Sequence, residues 1–181
     1  MEVPRIEPKY DAIFLDRDGV INRELGDYVT RAEDFELLPG VVEAIRLLRQ
    51  VSHCIIIFTN QAGVGRGRMS LADLESIHAK LQSLLHLDGI YACVHAPEEG
   101  CRCRKPLPGL LVQAATDHSL ELSKCLVVGD TPRDLAAGEA VGAKLCLVLS
   151  GKTKEYDSVS FDGPKPNLVF DDLLHVAKSL L

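Results

Sequence analysis

No stretch of this 181-residue chain approaches the ~18 consecutive apolar residues that a membrane helix needs. The opening Met1-Glu2-Val3-Pro4-Arg5-Ile6-Glu7-Pro8 lacks the apolar core of a secretion signal. A cytoplasmic protein without a membrane partner is therefore expected. Basic charge is also short: 20 Lys and Arg stand against 26 Asp and Glu, and the net charge of -6 argues against nucleic acid and anionic membrane surfaces as partners. Internal repeats and low-complexity segments are missing, which leaves no sign of a solenoid or a long linker. With 46% hydrophobic and 25% charged residues the composition excludes a disordered chain. The length suits one domain over residues 1–181, acting as a monomer.

What the chain does contain is an alternation of short apolar runs with longer stretches of helical period. That pattern predicts an α/β fold, a doubly wound, Rossmann-like parallel sheet with helices on both faces. Strands are expected at 12–15, 55–59, 89–94, 125–128 and 144–149, and helices at 41–50, 71–86, 107–117, 133–141 and 171–180. Pro39-Gly40 opens the first helix, Ser70 caps the second and Gly142 closes the fourth. Two segments break the alternation. Residues 23–38 are long enough for a flap over a site, and 152–166 read as an irregular connection to a last short strand at 168–170 within a terminal strand and helix over 167–181.

In a doubly wound sheet ligands bind outside the carboxyl ends of the strands. Asp16 and Asp18 follow the first strand, Thr59-Asn60-Gln61 the second, the segment from Cys93 to Lys105 the third, and Gly129-Asp130-Thr131 the fourth. Asp16 and Asp18 lie two residues apart where a strand runs out, so they are expected to aim at one spot and to need a metal or a shared proton between them. Carboxylates, a hydroxyl, a lysine and turn glycines together suit phosphoryl transfer, in which a carboxylate attacks phosphorus while lysine, hydroxyl and Mg²⁺ hold the equatorial oxygens. Taken one at a time the same residues have bland readings: a Ca²⁺-type loop or turn at Asp16 to Gly19, and helix capping by Asp130 and Asp134.

Asp16-Arg17-Asp18-Gly19-Val20, the apolar strand ending in Thr59-Asn60, the triplet Arg104-Lys105-Pro106, and Gly129-Asp130-Thr131-Pro132-Arg133-Asp134 resemble, in this order, the four motifs of the haloacid dehalogenase-type phosphohydrolases. The resemblance covers a core of about residues 10–150. It implies a haloacid dehalogenase-like fold, with Asp16 as nucleophile and Asp18 as the acid that protonates the leaving alkoxide and then the base for water. By the same resemblance Thr59 and Lys105 bind phosphoryl oxygens. Asp16, the backbone carbonyl of Asp18 and Asp130 hold Mg²⁺, and Asp134 steadies a metal-bound water or Lys105.

The six cysteines divide into two groups. Cys54, Cys125 and Cys146 sit in apolar runs and read as core. Cys93, His95, Cys101 and Cys103 crowd into one loop, 93–103, and offer the Cys₃His donor set that Zn²⁺ favours, with unliganded thiols or a redox pair at Cys101 and Cys103 as the alternatives. This loop closes onto Arg104-Lys105-Pro106, so a metal there would freeze it with both cations facing the crevice.

The zinc loop, Asn22, and Thr59-Asn60-Gln61-Ala62-Gly63-Val64-Gly65-Arg66-Gly67 resemble the histidinol-phosphate and heptose-bisphosphate phosphatase branch, whose members lack a large cap domain. Residues 26–29, 35–40, 65–67 and 88–91 are more similar to its heptose-bisphosphate side. That side implies removal of the 7-phosphate of a heptose 1,7-bisphosphate, a small phosphorylated sugar. Asn22, Asn60, Arg66 and Arg104 are the expected substrate contacts, Arg66 and Arg104 as phosphate clamps; the bland reading makes Arg66 and Arg68 solvated charges. Histidinol phosphate stays open as a substrate, because Glu24, Asp27 and Tyr28 can receive its amine and ring. A polynucleotide 3′-phosphatase conflicts with the sequence pI of about 5.5. A phospho-acceptor signalling module would place its Asp after the third strand, where this chain has Cys93 and His95.

Overall fold

The computed structural model describes residues 8–181. The expectation drawn from Met1 to Pro8 falls, Pro8 apart, outside the described residues. Six strands, β1 (Tyr10–Leu15), β2 (Ser52–Asn60), β3 (Gly89–Cys93), β4 (Leu126–Gly129), β5 (Lys144–Val148) and β6 (Leu168–Phe170), form one sheet in the order β3-β2-β1-β4-β5-β6. Every neighbouring pair is parallel. The chain winds outward from β1 in one direction through β2 and β3, then returns to the other side of β1 with β4. The carboxyl ends of β1, β2 and β4 thus border the crevice where such sheets bind ligands.

Side-chain alternation along the strands builds two cores. Ile13, Leu15, Ile55, Ile57, Leu126 and Val128 face helices α1 (Val41–Leu48), α3 (Leu71–Leu85) and α6 (Leu173–Leu180). Ala12, Phe14, Ile56, Phe58 and Val127 face α4 (Gly109–His118) and α5 (Pro132–Glu139) on the opposite side. All of these strand residues are fully buried, the condition of a sheet covered on both faces. No cap domain is inserted among the described residues, and none of their helices is long and apolar enough to cross a membrane.

The element boundaries depart from the sequence expectation for local reasons. Helix α4 begins at Gly109, not 107, because Leu107 precedes Pro108 and is pushed out of helical geometry. Helix α6 begins after Asp172, whose side chain accepts from the His175 backbone N–H at 3.0 Å. Helix α5 takes Pro132 as its first residue, where no intrahelical N–H is needed. Ser70 caps α3 reciprocally with Asp73. A short helix, α2 (Ala62–Gly65), escapes the sequence pattern because one turn shows no period. Cys125 and Cys146 are buried, whereas Cys54 is only half-buried, at the edge of its cluster.

Candidate active site

The carboxyl ends of β1, β2 and β4 open into a cavity of about 900 Å³ lined by Asp16, Asp18, Thr59, Asn60, Arg66, Arg104, Lys105, Asp130 and Asp134, together with Gln61 and Lys152. Lys105 is its electrostatic centre. Its ammonium lies 2.8 Å from Asp16 Oδ1, 2.6 Å from Asp134 Oδ1 and 3.0 Å from the Phe58 carbonyl oxygen, so its three donors meet three acceptors. Burial alone would discharge this lysine, but the charges of Asp134 and Asp16 outweigh it and raise its pKa.

Asp16, Asp130 and Asp134 bring carboxylate oxygens within 4.8 Å of one another. Burial first, opposed by Lys105 and reinforced by the charges of Asp134 and Asp130, holds Asp16 well above the usual carboxylate range. Burial and Asp134 push Asp130 up to about 7. Asp134 uses both oxygens, one on Lys105 and the other on the backbone N–H and hydroxyl of Thr131 at 3.0 and 2.7 Å. Asp134 therefore caps α5 with one oxygen and pairs with Lys105 through the other. Asp130 differs: Oδ2 accepts from the Lys152 backbone N–H at 2.6 Å, while Oδ1 is buried with no partner among the described residues. Clustered acids with an orphaned oxygen fit a hard divalent cation. Gly19 makes this packing possible, since its φ of 86° and the approach of Asp130 to its Cα exclude a side chain.

Asp16 and Asp18 stand in different electrostatic surroundings. Both line the cavity, but their charges are met separately. Beyond Leu15 the chain turns, with the Ile21 and Asn22 N–H groups donating to the Arg17 carbonyl at 2.8 and 3.1 Å, so strand alternation no longer governs Asp18. The repulsion felt by Asp16 comes from Asp130 and Asp134. Asp18 accepts from Arg17 Nη2 at 2.9 and 3.0 Å, from Asn22 Nδ2 at 2.9 Å and from Gln61 Nε2 at 2.8 Å. Burial would raise its pKa, yet the Arg17 charge and these hydrogen bonds prevail and hold it below its usual value.

Two expected substrate contacts have other occupations. Asn60 donates to the Lys105 carbonyl and accepts from the Lys105 N–H, each at 3.1 Å, so its amide holds the Lys105 backbone. Asn22 is buried and steadies Asp18 and the Arg23 carbonyl. Arg66 stands at the rim, half-exposed, 3.0 Å from the Tyr28 hydroxyl and 3.4 Å from Glu98. Arg104 lines the cavity with Nη1 buried and unpaired, a donor suited to an anion. The 23–38 segment contributes Glu24 and Gly26 to Val29 to the lining, but its base is pinned by buried Val29 and Phe35 and by Lys80, whose ammonium donates to the Ala32 and Phe35 carbonyls.

Arg17, Gln61 and the Ser150 to Lys152 turn went unread in the sequence. Arg17 is 0% exposed, and its guanidinium carbon lies 5.9 Å from the centre of the Phe35 ring. A signal existed, since Arg17 continues the Ile13 and Leu15 face at intervals of two. The 150–152 turn had none, because its contacts join segments remote in sequence, and the same holds for the Gln61 contact with Asp18, though not for its contact with Thr59.

Beside the cavity, Cys93, His95, Cys101 and Cys103 gather their donor atoms within 4.8 Å. Cys93 Sγ is 3.6 Å from His95 Nδ1 and 3.5 Å from Cys101 Sγ, and Cys103 Sγ is 3.3 Å from His95 Nδ1 and 3.5 Å from Cys101 Sγ. The cluster is stitched to the site, for the Cys93 carbonyl accepts from the Gln61 N–H at 2.7 Å and the Val94 carbonyl from the Gly65 N–H at 2.8 Å. Any side chain at Gly65 would collide with the Ala96 backbone.

The chain is similar to known proteins. A HAD-hydrolase-like family profile matches residues 102–176. The chain is 40% identical over 174 residues to the D-glycero-beta-D-manno-heptose-1,7-bisphosphate 7-phosphatase of Pseudomonas putida, with 93% of this chain and 98% of that protein covered. The enzyme of the same name from Helicobacter pylori is 42% identical over 145 residues, with 77% and 83% covered. The crystal structure of D,D-heptose 1.7-bisphosphate phosphatase from B. bronchiseptica complexed with magnesium and phosphate superposes with a TM-score of 0.86 at 35% identity, covering 94% of this chain and 97% of that one.

The Lys105 ion pairs have a measurable consequence. Lys105→Met leaves Asp16 and Asp134 without their cation, and is expected to lower the unfolding free energy of metal-free protein by about 3–5 kcal/mol near neutral pH. Lys105 lowers the pKa of Asp16, so in the variant the folded-state pKa rises further above the unfolded value. The stability tied to that group is then present at low pH and lost as pH rises through the folded pKa. Urea unfolding should show the variant's deficit shrinking toward pH 5 and growing toward pH 8.

Proposed function

The chain belongs to the haloacid dehalogenase-like D-glycero-D-manno-heptose-1,7-bisphosphate 7-phosphatase family, and on that premise we propose that it is a Mg²⁺-dependent phosphomonoesterase that removes the 7-phosphate of D-glycero-D-manno-heptose 1,7-bisphosphate. The observation that carries this reading is the buried Lys105 set between Asp16 and Asp134 beside an Asp130 oxygen that no protein group satisfies. An Asp16 oxygen attacks phosphorus and the bond to the sugar oxygen breaks. Asp18 gives its proton to the departing alkoxide. A water then attacks the aspartyl-phosphate and gives a proton to the Asp18 carboxylate, which restores Asp18 for the next cycle and frees phosphate. The ionised, hydrogen-bonded Asp18 of this structure is the form needed for that second step. Thr59 and Arg104 supply donors to the phosphoryl group, and Lys105, whose three N–H groups are taken, supplies positive charge beside it. Asp16 and Asp130 would hold Mg²⁺, joined by the Asp18 backbone carbonyl, and when bound the ion offsets the negative charge gathered where phosphorus is attacked.

Zn²⁺ suits the Cys93, His95, Cys101 and Cys103 cluster. A tetrahedron with edges like those measured has its centre about 2.1 Å from each corner, close to ordinary Zn–N and Zn–S bond lengths. With all four positions filled by protein, such an ion is structural, tying the Lys105 segment and, through the Cys93 carbonyl, Gln61 to one rigid loop. The cavity lining gathers along one edge of one sheet and the loops that follow its strands, which supports a single phosphatase domain. None of the six cysteines is in a disulfide, which supports a reducing, cytoplasmic setting.

Four outcomes are expected. Asp16→Asn should abolish turnover with the fold retained by circular dichroism, and wild-type kcat/KM should be higher for a heptose 1,7-bisphosphate anomer than for histidinol phosphate; the reverse preference would move the chain to the other side of its branch. Mg²⁺ should raise the thermal midpoint more at pH 8 than at pH 6, because Asp130, raised to about 7, disfavours the metal-free fold as it ionises and must be ionised to bind the metal. Elemental analysis of protein purified without added metal should find about one zinc per chain, and zinc-free reduced protein would remove the structural-zinc proposal.

A further inference from the structure

Gln61 is 2% exposed, lies at the cavity wall, and has its side-chain nitrogen placed between two groups of the reaction. Nε2 donates to Asp18 Oδ2 at 2.8 Å and to Thr59 Oγ1 at 2.9 Å. One amide nitrogen has two protons, and both are thereby used. An ionised carboxylate only accepts, so the nitrogen and not the oxygen must face Asp18. The direction of the second N–H then follows, and Thr59 becomes an acceptor toward Gln61. Thr59 is 1% exposed and its hydroxyl donates to no protein acceptor among the described residues. Its proton is left to the cavity side, where a phosphoryl oxygen would take it.

Resting on the phosphatase reading above, we propose that Gln61 is a positioning residue that couples the phosphate-binding hydroxyl of Thr59 to the proton-transfer carboxylate of Asp18, orienting the first as a donor and aiming the second. The backbone of Gln61 is itself fixed, because its N–H donates to the Cys93 carbonyl at 2.7 Å. Its amide therefore has little freedom to follow Asp18, and Asp18 is held in register with it. Arg17 and Asn22 hold the same carboxylate, chiefly through Oδ1. Gln61 alone among these donors reaches Thr59 as well.

The distinguishing readout is the leaving group. An alkoxide must be protonated as it departs, whereas p-nitrophenolate leaves without help, so a residue that aims Asp18 matters more for alkyl esters. Gln61→Met keeps the length and removes both donors. It should lower kcat/KM for a sugar phosphate roughly 10- to 100-fold, the effect of losing hydrogen bonds to charged groups. The loss for p-nitrophenyl phosphate should be about tenfold smaller. Gln61→Glu, which sets an acceptor against Asp18, should show the same split and supplies the test if the Met variant does not fold. In an Asp18→Asn background the split should vanish. Equal losses on both esters in a folded variant, or no loss, would overturn the coupling and leave the phosphatase reading intact. Wild-type protein that hydrolyses neither ester would overturn both.

Discussion

The interaction on which the rest of the site depends is the burial of Lys105 between Asp16 and Asp134. An ammonium group removed from water must have its donors met and its charge balanced, and here the Phe58 carbonyl completes the set that the two carboxylates begin. Four parts of the chain meet at that nitrogen: the ends of β1 and β2, the loop after β3, and the start of α5. Their mutual placement is therefore an electrostatic requirement as much as a packing one. Because Asp134 and Asp130 also repel Asp16, the lysine balances only part of the negative charge. The remainder, expressed in the raised Asp130 and its unpaired oxygen, is what makes the pocket receptive to a divalent cation.

The surroundings prevent this nitrogen from relaxing away. Asn60 grips the Lys105 backbone at both its N–H and carbonyl, and the Cys93 to Cys103 loop delivers the residue from the far side. The same loop anchors Gln61, so Lys105, Thr59 and Asp18 share one support. Rigid support of this kind suits a phosphoryl transfer whose catalysis rests on positioned charge.

Two acids separated by one residue have opposite electrostatic characters. Asp16 is buried among other acids and raised; Asp18 is buried beside Arg17 and lowered. The difference comes from the buried guanidinium, which stacks on Phe35 from the segment between β1 and α1. That segment thus serves the site from behind as well as lining it in front, and His78 on α3 is driven down to about 4, by burial first and then by the Arg17 charge.

The sequence by itself determined the parallel α/β order, the strand ends that supply reactive groups, and the four-donor cysteine and histidine loop. Apolar periodicity and short-range spacing are local properties, visible wherever the contributing residues are neighbours in the chain. Helix ends at Gly109 and Leu173 were less legible, since proline sterics and an Asp cap override a periodic pattern. Only the tertiary structure decided which charges share a space: that Asp16 answers to Lys105, Asp130 and Asp134, that Arg17 is a buried partner and not a solvated one, and that Asn60 and Asn22 position other residues. Coulombic and hydrogen-bond energies depend on separations of a few ångströms and on exclusion of water, and no spacing along the chain encodes those when the partners arrive from different strands.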